Sequence, residues 1–153
     1  MKKYLLPIIL FLLFIPLVVK AKTCDTNKIT IESISLEDKS EDVIIQSEAT
    51  ASGRNINVEL TMSELGDYAD YNLVVKNESN EDYELDESSF NISSEYINYS
   101  LSTEDNSNIV KANTSKTVTL RIEYKNIVPN DAFENRVYSV HKTMTFNLLN
   151  DQK

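Results

Sequence analysis

Beyond residue 21 the chain holds two glycines (Gly53, Gly66), one proline (Pro129), one cysteine (Cys24), one histidine (His141) and no tryptophan. Each scarcity excludes something. Glycine-rich phosphate loops need several glycines so that backbone amides can approach an anion, and this chain does not supply them. Structural zinc takes four Cys or His ligands, twice what is available. A single thiol permits no internal disulfide. Basic residues are also few. The 153 residues include 15 Lys and Arg against 24 Asp and Glu. Setting aside Lys2, Lys3 and Lys20 leaves 12 basic residues facing 24 acidic ones, a net charge of −12 over residues 22–153. A nucleic-acid face would have to overcome that excess, so no nucleic-acid partner is expected.

The long apolar run is confined to the start. Met1-Lys2-Lys3 is a short basic leader, followed by an apolar stretch over residues 4–19. Sixteen helical residues rise about 24 Å, short of the roughly 30 Å hydrocarbon core, and Pro7 and Pro16 weaken the span further. Val19-Lys20-Ala21 places small residues at −3 and −1 of a cut after Ala21. Residues 1–21 are therefore expected to form a signal helix that is cleaved on export. An uncleaved membrane anchor through residues 4–19 is the second reading, and lipidation at Cys24 the third. Lys22 and Thr23 before Cys24 fit a lipoprotein signal poorly. Residues 22–27 read as a flexible tail, 28–149 as one domain and 150–153 as a C-terminal tail.

From Lys28 onward the dominant period is two. In 116–125, Val118, Leu120, Ile122 and Tyr124 alternate with polar residues. In 54–62 the apolar set is Ile56, Val58, Leu60 and Met62; in 68–77 it is Ala69, Tyr71, Leu73 and Val75. Ile97, Tyr99 and Leu101 give a further strand, Tyr83 and Leu85 a short one, and Met144, Phe146 and Leu148 the last. Ile29 and Ile31 share one parity while Ile34 and Leu36 share the other, which predicts a β-bulge at Glu32-Ser33. Asn and Ser replace glycine at the junctions, as in 77–80, 105–108 and 113–115; Asn tolerates left-handed backbone, so turns are expected there. The segment 39–53 reads either as an extra edge strand or as a loop across the core. Residues 129–133 could form one helical turn with Phe133 plugging the core. About seven short strands predict an all-β antiparallel β-sandwich.

Gly66-Asp67-Tyr68-Ala69-Asp70-Tyr71-Asn72-Leu73-Val74-Val75-Lys76-Asn77 resembles the GD-x-x-x-Y-x-x-x-V-K-N signature of immunoglobulin-like conserved-repeat domains in bacterial, mostly Gram-positive, secreted and cell-surface proteins. The block 109–120 resembles the family's second turn and Val-rich strand, with Asn113 where glycine is usual. The resemblance spans roughly residues 55–125. It implies an immunoglobulin-like sandwich, export, and a non-catalytic spacer or adhesive role at the cell surface. The structural motif residues are Gly66, Asp67, Tyr71, Lys76 and Asn77. No wall-sorting signal accompanies them.

The residues that could carry chemistry are few. Asp82, Glu84 and Asp86 at spacing two would line one strand face; they are weak metal candidates, against the reading of a solvated acidic edge. Glu104-Asp105 is a similar cluster. His141 would need an orienting carboxylate and a nucleophile to act as a base, and the one thiol lies on the tail. Asn147 points outward by parity, which disfavours a Lys–Asn cross-link. Four Asn-x-Ser tripeptides (Asn77, Asn91, Asn98, Asn113) reflect the Asn- and Ser-rich composition. No cofactor and no catalysis are expected. The partner is expected to be an extracellular protein or glycan, the alternative role being a glycan- or calcium-binding module.

Overall fold

The structure is a computed structural model that describes residues 28–90, 96–125 and 137–149. The leader, Cys24, Asn91 and the segment carrying Phe133 lie outside the described residues. Eleven strands are present among those described: β1 (Ile29–Lys39), β2 (Ile44–Ile45), β3 (Thr50–Ser52), β4 (Asn55–Thr61), β5 (Tyr68–Asn77), β6 (Tyr83–Leu85), β7 (Ile97–Ser102), β8 (Ile109–Val110), β9 (Ser115–Tyr124), β10 (Val137–Thr143) and β11 (Phe146–Leu148). A one-turn helix α1 (Glu87–Phe90) follows β6. All the pairings are antiparallel.

The strands form three sheets. The first runs β1-β5-β9-β7; the second runs β10-β4-β2, with β3 also on β4; the third runs β11-β6-β8. Their inner faces share one core, an all-β, sandwich-like arrangement. The alternation that the sequence carries is what fills it. In β5 every second residue is buried, with Ala69, Tyr71, Leu73 and Val75 at 1% exposure or less. Val118, Leu120, Ile122 and Tyr124 do the same in β9, and Ile56, Val58 and Leu60 in β4, with Met62 just beyond its end. Burying a Val, Leu or Ile contributes about 1.5–3 kcal/mol each, so these strands carry much of the stability.

The expected bulge is present: pairing of β1 with β5 slips between Ile31 and Ser33, and again between Leu36 and Asp38. Leu36 pairs with the inward-facing Tyr71 and is nonetheless 41% exposed. The segment 39–53 combines both readings, since Val43 is buried while β2 and β3 each pair with β4. Three expectations are corrected. There are more than seven strands, because β2, β3 and β8 are only two or three residues long and β10 precedes the last one. The final run is not continuous: Met144 sits between β10 and β11, and its amide bonds the Arg54 carbonyl at 2.9 Å. A separate strand, β10, precedes that run and carries His141, whose position before Met144, Phe146 and Leu148 suggests the start of the last strand. A helical turn does occur, at Glu87–Phe90, and it delivers Phe90 to the core at 0% exposure.

Strand directions divide the molecule into two poles. Lys28, the turn 77–82, the loops 103–108 and 111–114, and the end of β11 lie at one pole. Ser40, the loop 63–67, Tyr96 and Lys125 lie at the other. The Glu78 amide bonds the Lys28 carbonyl at 2.8 Å, and the Leu149 amide bonds the Asp82 carbonyl at 3.1 Å. The chain therefore enters and leaves the described domain against the same short turn. That end is the proximal pole below, and the other the distal pole.

Candidate functional site

The signature residues 66–77 run the full length of β5, so they are spread from pole to pole and converge on no single site. At the distal pole Gly66 adopts φ +92°, a conformation in which L side chains are strained. The Asp67 carboxylate accepts hydrogen bonds from the Ser63 and Glu64 amides, both at 2.8 Å, and so closes the turn entering β5. Mid-strand, the Tyr71 ring lies in the core at 1% exposure, and burial pushes its hydroxyl up to about 12. That hydroxyl has no hydrogen-bond partner among the described residues.

Asn77 carries the densest polar bonding. Its side chain is 1% exposed. The amide Nδ2 donates to the carbonyls of Glu81 (2.8 Å), Val110 (3.1 Å) and Lys111 (3.1 Å). Its Oδ1 accepts from the Ser79 amide (3.0 Å) and hydroxyl (2.7 Å). Two donor hydrogens thus tie the β5–β6 turn to the β8–β9 turn, joining two sheets at the proximal pole. The backbone of the second turn bends at Asn113, whose φ is +55°, and Asn106 in the neighbouring loop has φ +51°. These are the left-handed positions that Asn was expected to fill. Lys76, beside Asn77, pairs with Glu78 at 2.9 Å and Glu32 at 3.7 Å, and the Glu78 contact raises its pKa. Lys76, Asn77, Glu78, Asn113, Thr114 and Ser115 line an open cleft of about 330 Å³.

The acidic candidates do not come together. Asp82 accepts from the Ala112 amide at 2.8 Å, Glu84 from the Asn108 side chain at 2.9 Å, and Asp86 from Ser88. Each carboxylate is aimed at a different turn. Among the described residues no group of three or more His, Cys, Asp or Glu side chains is placed to hold a metal. Asp105 is bound to Lys116 at 2.9 Å, which holds its carboxyl below the usual range. His141 is exposed and its Nδ1 lies 2.6 Å from Asn57 Oδ1, a cross-strand pair with no carboxylate in it. Asn147 is exposed, as its parity requires. The sequon Asn77 is buried and bonded, while Asn113 stands exposed on its turn.

One polar arrangement escaped the sequence. On the outer face of the first sheet, Arg121 of β9 makes two hydrogen bonds to Asp70 of β5, at 2.8 and 2.7 Å. Its guanidinium lies 4.3 Å from the Tyr68 ring centroid, and the Tyr68 hydroxyl donates to Asp38 at 2.7 Å. That hydrogen bond lowers the Asp38 pKa and raises that of Tyr68. The signal was a β5–β9 pairing of Asp70 with Arg121, legible only once the register is known. The chain of contacts braces three strands, β1, β5 and β9. Comparison with known proteins finds no matching family model, no similar curated protein and no similar solved structure.

Proposed function

We propose that the chain is an exported, non-catalytic immunoglobulin-like β-sandwich displayed as an adhesive head. The observation that carries this reading is the meeting of Lys28 and Leu149, the two ends of the described domain, at the proximal pole, through the Glu78–Lys28 and Leu149–Asp82 backbone bonds. A domain strung in line as a spacer needs its two connections at opposite ends. A domain held from one pole projects the other. Two further features support the immunoglobulin-like part. With the β2–β4 segment set aside, the order β1-β5-β9-β7 corresponds to the A-B-E-D sheet of that fold. The signature residues also take scaffold roles: a turn at Gly66 and Asp67, a core ring at Tyr71 and a buried clamp at Asn77. The acidic surface would keep exported copies soluble and apart.

The test is the intact mass and N-terminal residue of the natively produced protein, in medium, membrane and cytoplasmic fractions. The reading expects an exported species: one starting at Lys22, one retaining the leader in the membrane, or one lipidated at Cys24. A protein that starts at Met1 and stays in the cytoplasmic fraction contradicts it. Display is read separately, from labelling of Leu65→Cys and Asn80→Cys variants on intact cells with an impermeant maleimide. Stronger labelling at position 65 supports a head held from its proximal pole; equal labelling does not.

A further inference from the structure

The exposed large apolar side chains among the described residues are Leu36, Ile44, Leu65 and Val137. Three of them lie at the distal pole: Ile44 and Val137 on the second sheet, and Leu65 in the loop between β4 and β5. Ile44 of β2 and Val137 of β10 both pair with Thr61 of β4, so the three residues form one row across that sheet's outer face. Two strand spacings put Ile44 and Val137 roughly 10 Å apart. They are 55% and 53% exposed, while Thr61 between them is nearly covered and accepts a hydrogen bond from Gln46 Nε2 at 2.9 Å. Leu65, 57% exposed, tips the turn that Asp67 fixes just beyond β4. Holding an apolar side chain out on a turn braced by a buried carboxylate keeps it pre-organised for contact.

Acidic residues flank this row on the β2 and β4 side. Glu41 and Asp42 form the turn before β2, Glu48 lies between β2 and β3, Glu59 is two residues from Thr61 on the same face, and Glu64 precedes Leu65. Among the described residues of the pole the basic ones, Lys39 and Lys125, belong to the other sheet, at the ends of β1 and β9; Arg136, next to Val137 in sequence, lies outside the described residues. Apolar side chains flanked by an excess of acidic charge fit a basic partner with apolar anchors of its own. A second copy would set five acids against five, within a chain of net charge −9.

The geometry points to the Ile44–Thr61–Val137 row, with Leu65, as a docking surface for a basic polypeptide that inserts apolar side chains between the acids. This rests on the display reading above, since the row lies at the pole that such display projects. The probe is a short peptide alternating lysine and leucine, titrated calorimetrically into the full chain beside an all-lysine peptide of equal length. The alternating peptide binds, and the all-lysine peptide binds more weakly and is lost at raised salt. The double variant Ile44→Ser/Val137→Ser weakens the alternating peptide about tenfold or more, the scale of a hot-spot pair. Leu36→Ser, on the other sheet, binds as the unaltered chain does. Glu41→Lys/Asp42→Lys weakens binding without touching the apolar row, which covers the case in which the first variant misfolds.

Equal binding of the two peptides, or no binding of the alternating one, overturns the proposal. So does a folded double variant that binds as before. Self-association of the unaltered chain that the double variant abolishes would assign the row to a second copy instead. Binding to phosphatidylcholine vesicles lost in the same variant would assign it to a membrane. Export and display are read from fractionation and surface labelling, so a negative result here leaves that reading standing.

Discussion

Replacing Asn77 by Ala removes the clamp between the β5–β6 and β8–β9 turns, and the loss can be worked from its contacts. The carbonyls of Glu81 and Lys111 keep second donors, Ser79 Oγ at 3.0 Å and Thr114 Oγ1 at 2.8 Å. The Val110 carbonyl keeps its place opposite Tyr83 in the β6–β8 ladder, so the group that loses its partner is the buried Ser79 amide. A buried polar group left unsatisfied costs about 1–3 kcal/mol, partly relieved if water enters the site, so the expected destabilisation is about 2 kcal/mol. For a domain of this size that lowers Tm by roughly 7 °C. Urea unfolding followed by circular dichroism gives the number, with the m-value checking that the denatured state is unchanged. The control is Asn80→Ala. Asn80 is exposed and accepts only the Asn113 side-chain bond at 3.1 Å, so it should cost under about 0.5 kcal/mol. Asn77→Asp separates donor from acceptor: it keeps the bonds from Ser79 but turns a carboxylate toward three carbonyls. That substituted carboxyl should have a raised folded pKa, so the variant is least unstable at low pH and loses stability as pH rises through it. If Asn77→Ala costs less than 1 kcal/mol, the clamp is not what joins the sheets, and the reasoning fails.

Asn113→Gly should leave stability within a few tenths of a kcal/mol, whereas Asn113→Ala should cost about 1 kcal/mol, because φ is +55° there; equal Tm values for the two variants would contradict this. Tyr71→Phe should be neutral or slightly stabilising, since the buried hydroxyl has no partner among the described residues; a loss above 1 kcal/mol by urea unfolding would reveal one. With the folded pKa of Tyr71 raised from 10.0 to about 12, its contribution is fully present below pH 10 and is lost as pH climbs toward 12. Alkaline melts should therefore show a shallower decline in Tyr71→Phe. Adding calcium or chelator should leave Tm unchanged, because Asp82, Glu84 and Asp86 accept hydrogen bonds from three separate places; a calcium-dependent rise of several degrees would revive a metal site.

The long strands were legible because one face of each is buried, so burial writes a period of two directly into the chain. The Glu32-Ser33 slip was legible for the same reason, as a change of parity. The two-residue strands and the single helical turn were not. Two residues at β2 or β8 carry no period, and one turn at Glu87–Phe90 cannot display 3.6. β10 was hidden by Lys142, which shares the inward parity of Tyr138 and Val140. Its ammonium lies 4.2 Å from the Tyr99 ring centroid and 5.8 Å from that of Phe90, and burial lowers its pKa. A lysine whose charge rests on aromatic faces reads as a solvent residue in sequence. The signature named Asn77 as a strand end but not as a buried clamp, because hydropathy records only that a residue is polar. The distal row was equally silent, since Ile44 and Val137 are far apart along the chain and come together only through their pairing with Thr61 of β4.

The claim on which the functional reading depends is that both ends of the domain meet at one pole. Spin labels on Lys28→Cys and Leu149→Cys in a Cys24→Ser background, compared with labels on Lys28→Cys and Leu65→Cys, measure it directly by electron–electron double resonance. The account predicts a short 28–149 distance and a 28–65 distance longer by roughly the 30 Å that the ten residues of β5 span. A 28–149 distance as long as the 28–65 one would place the two ends at opposite poles and restore the in-line spacer.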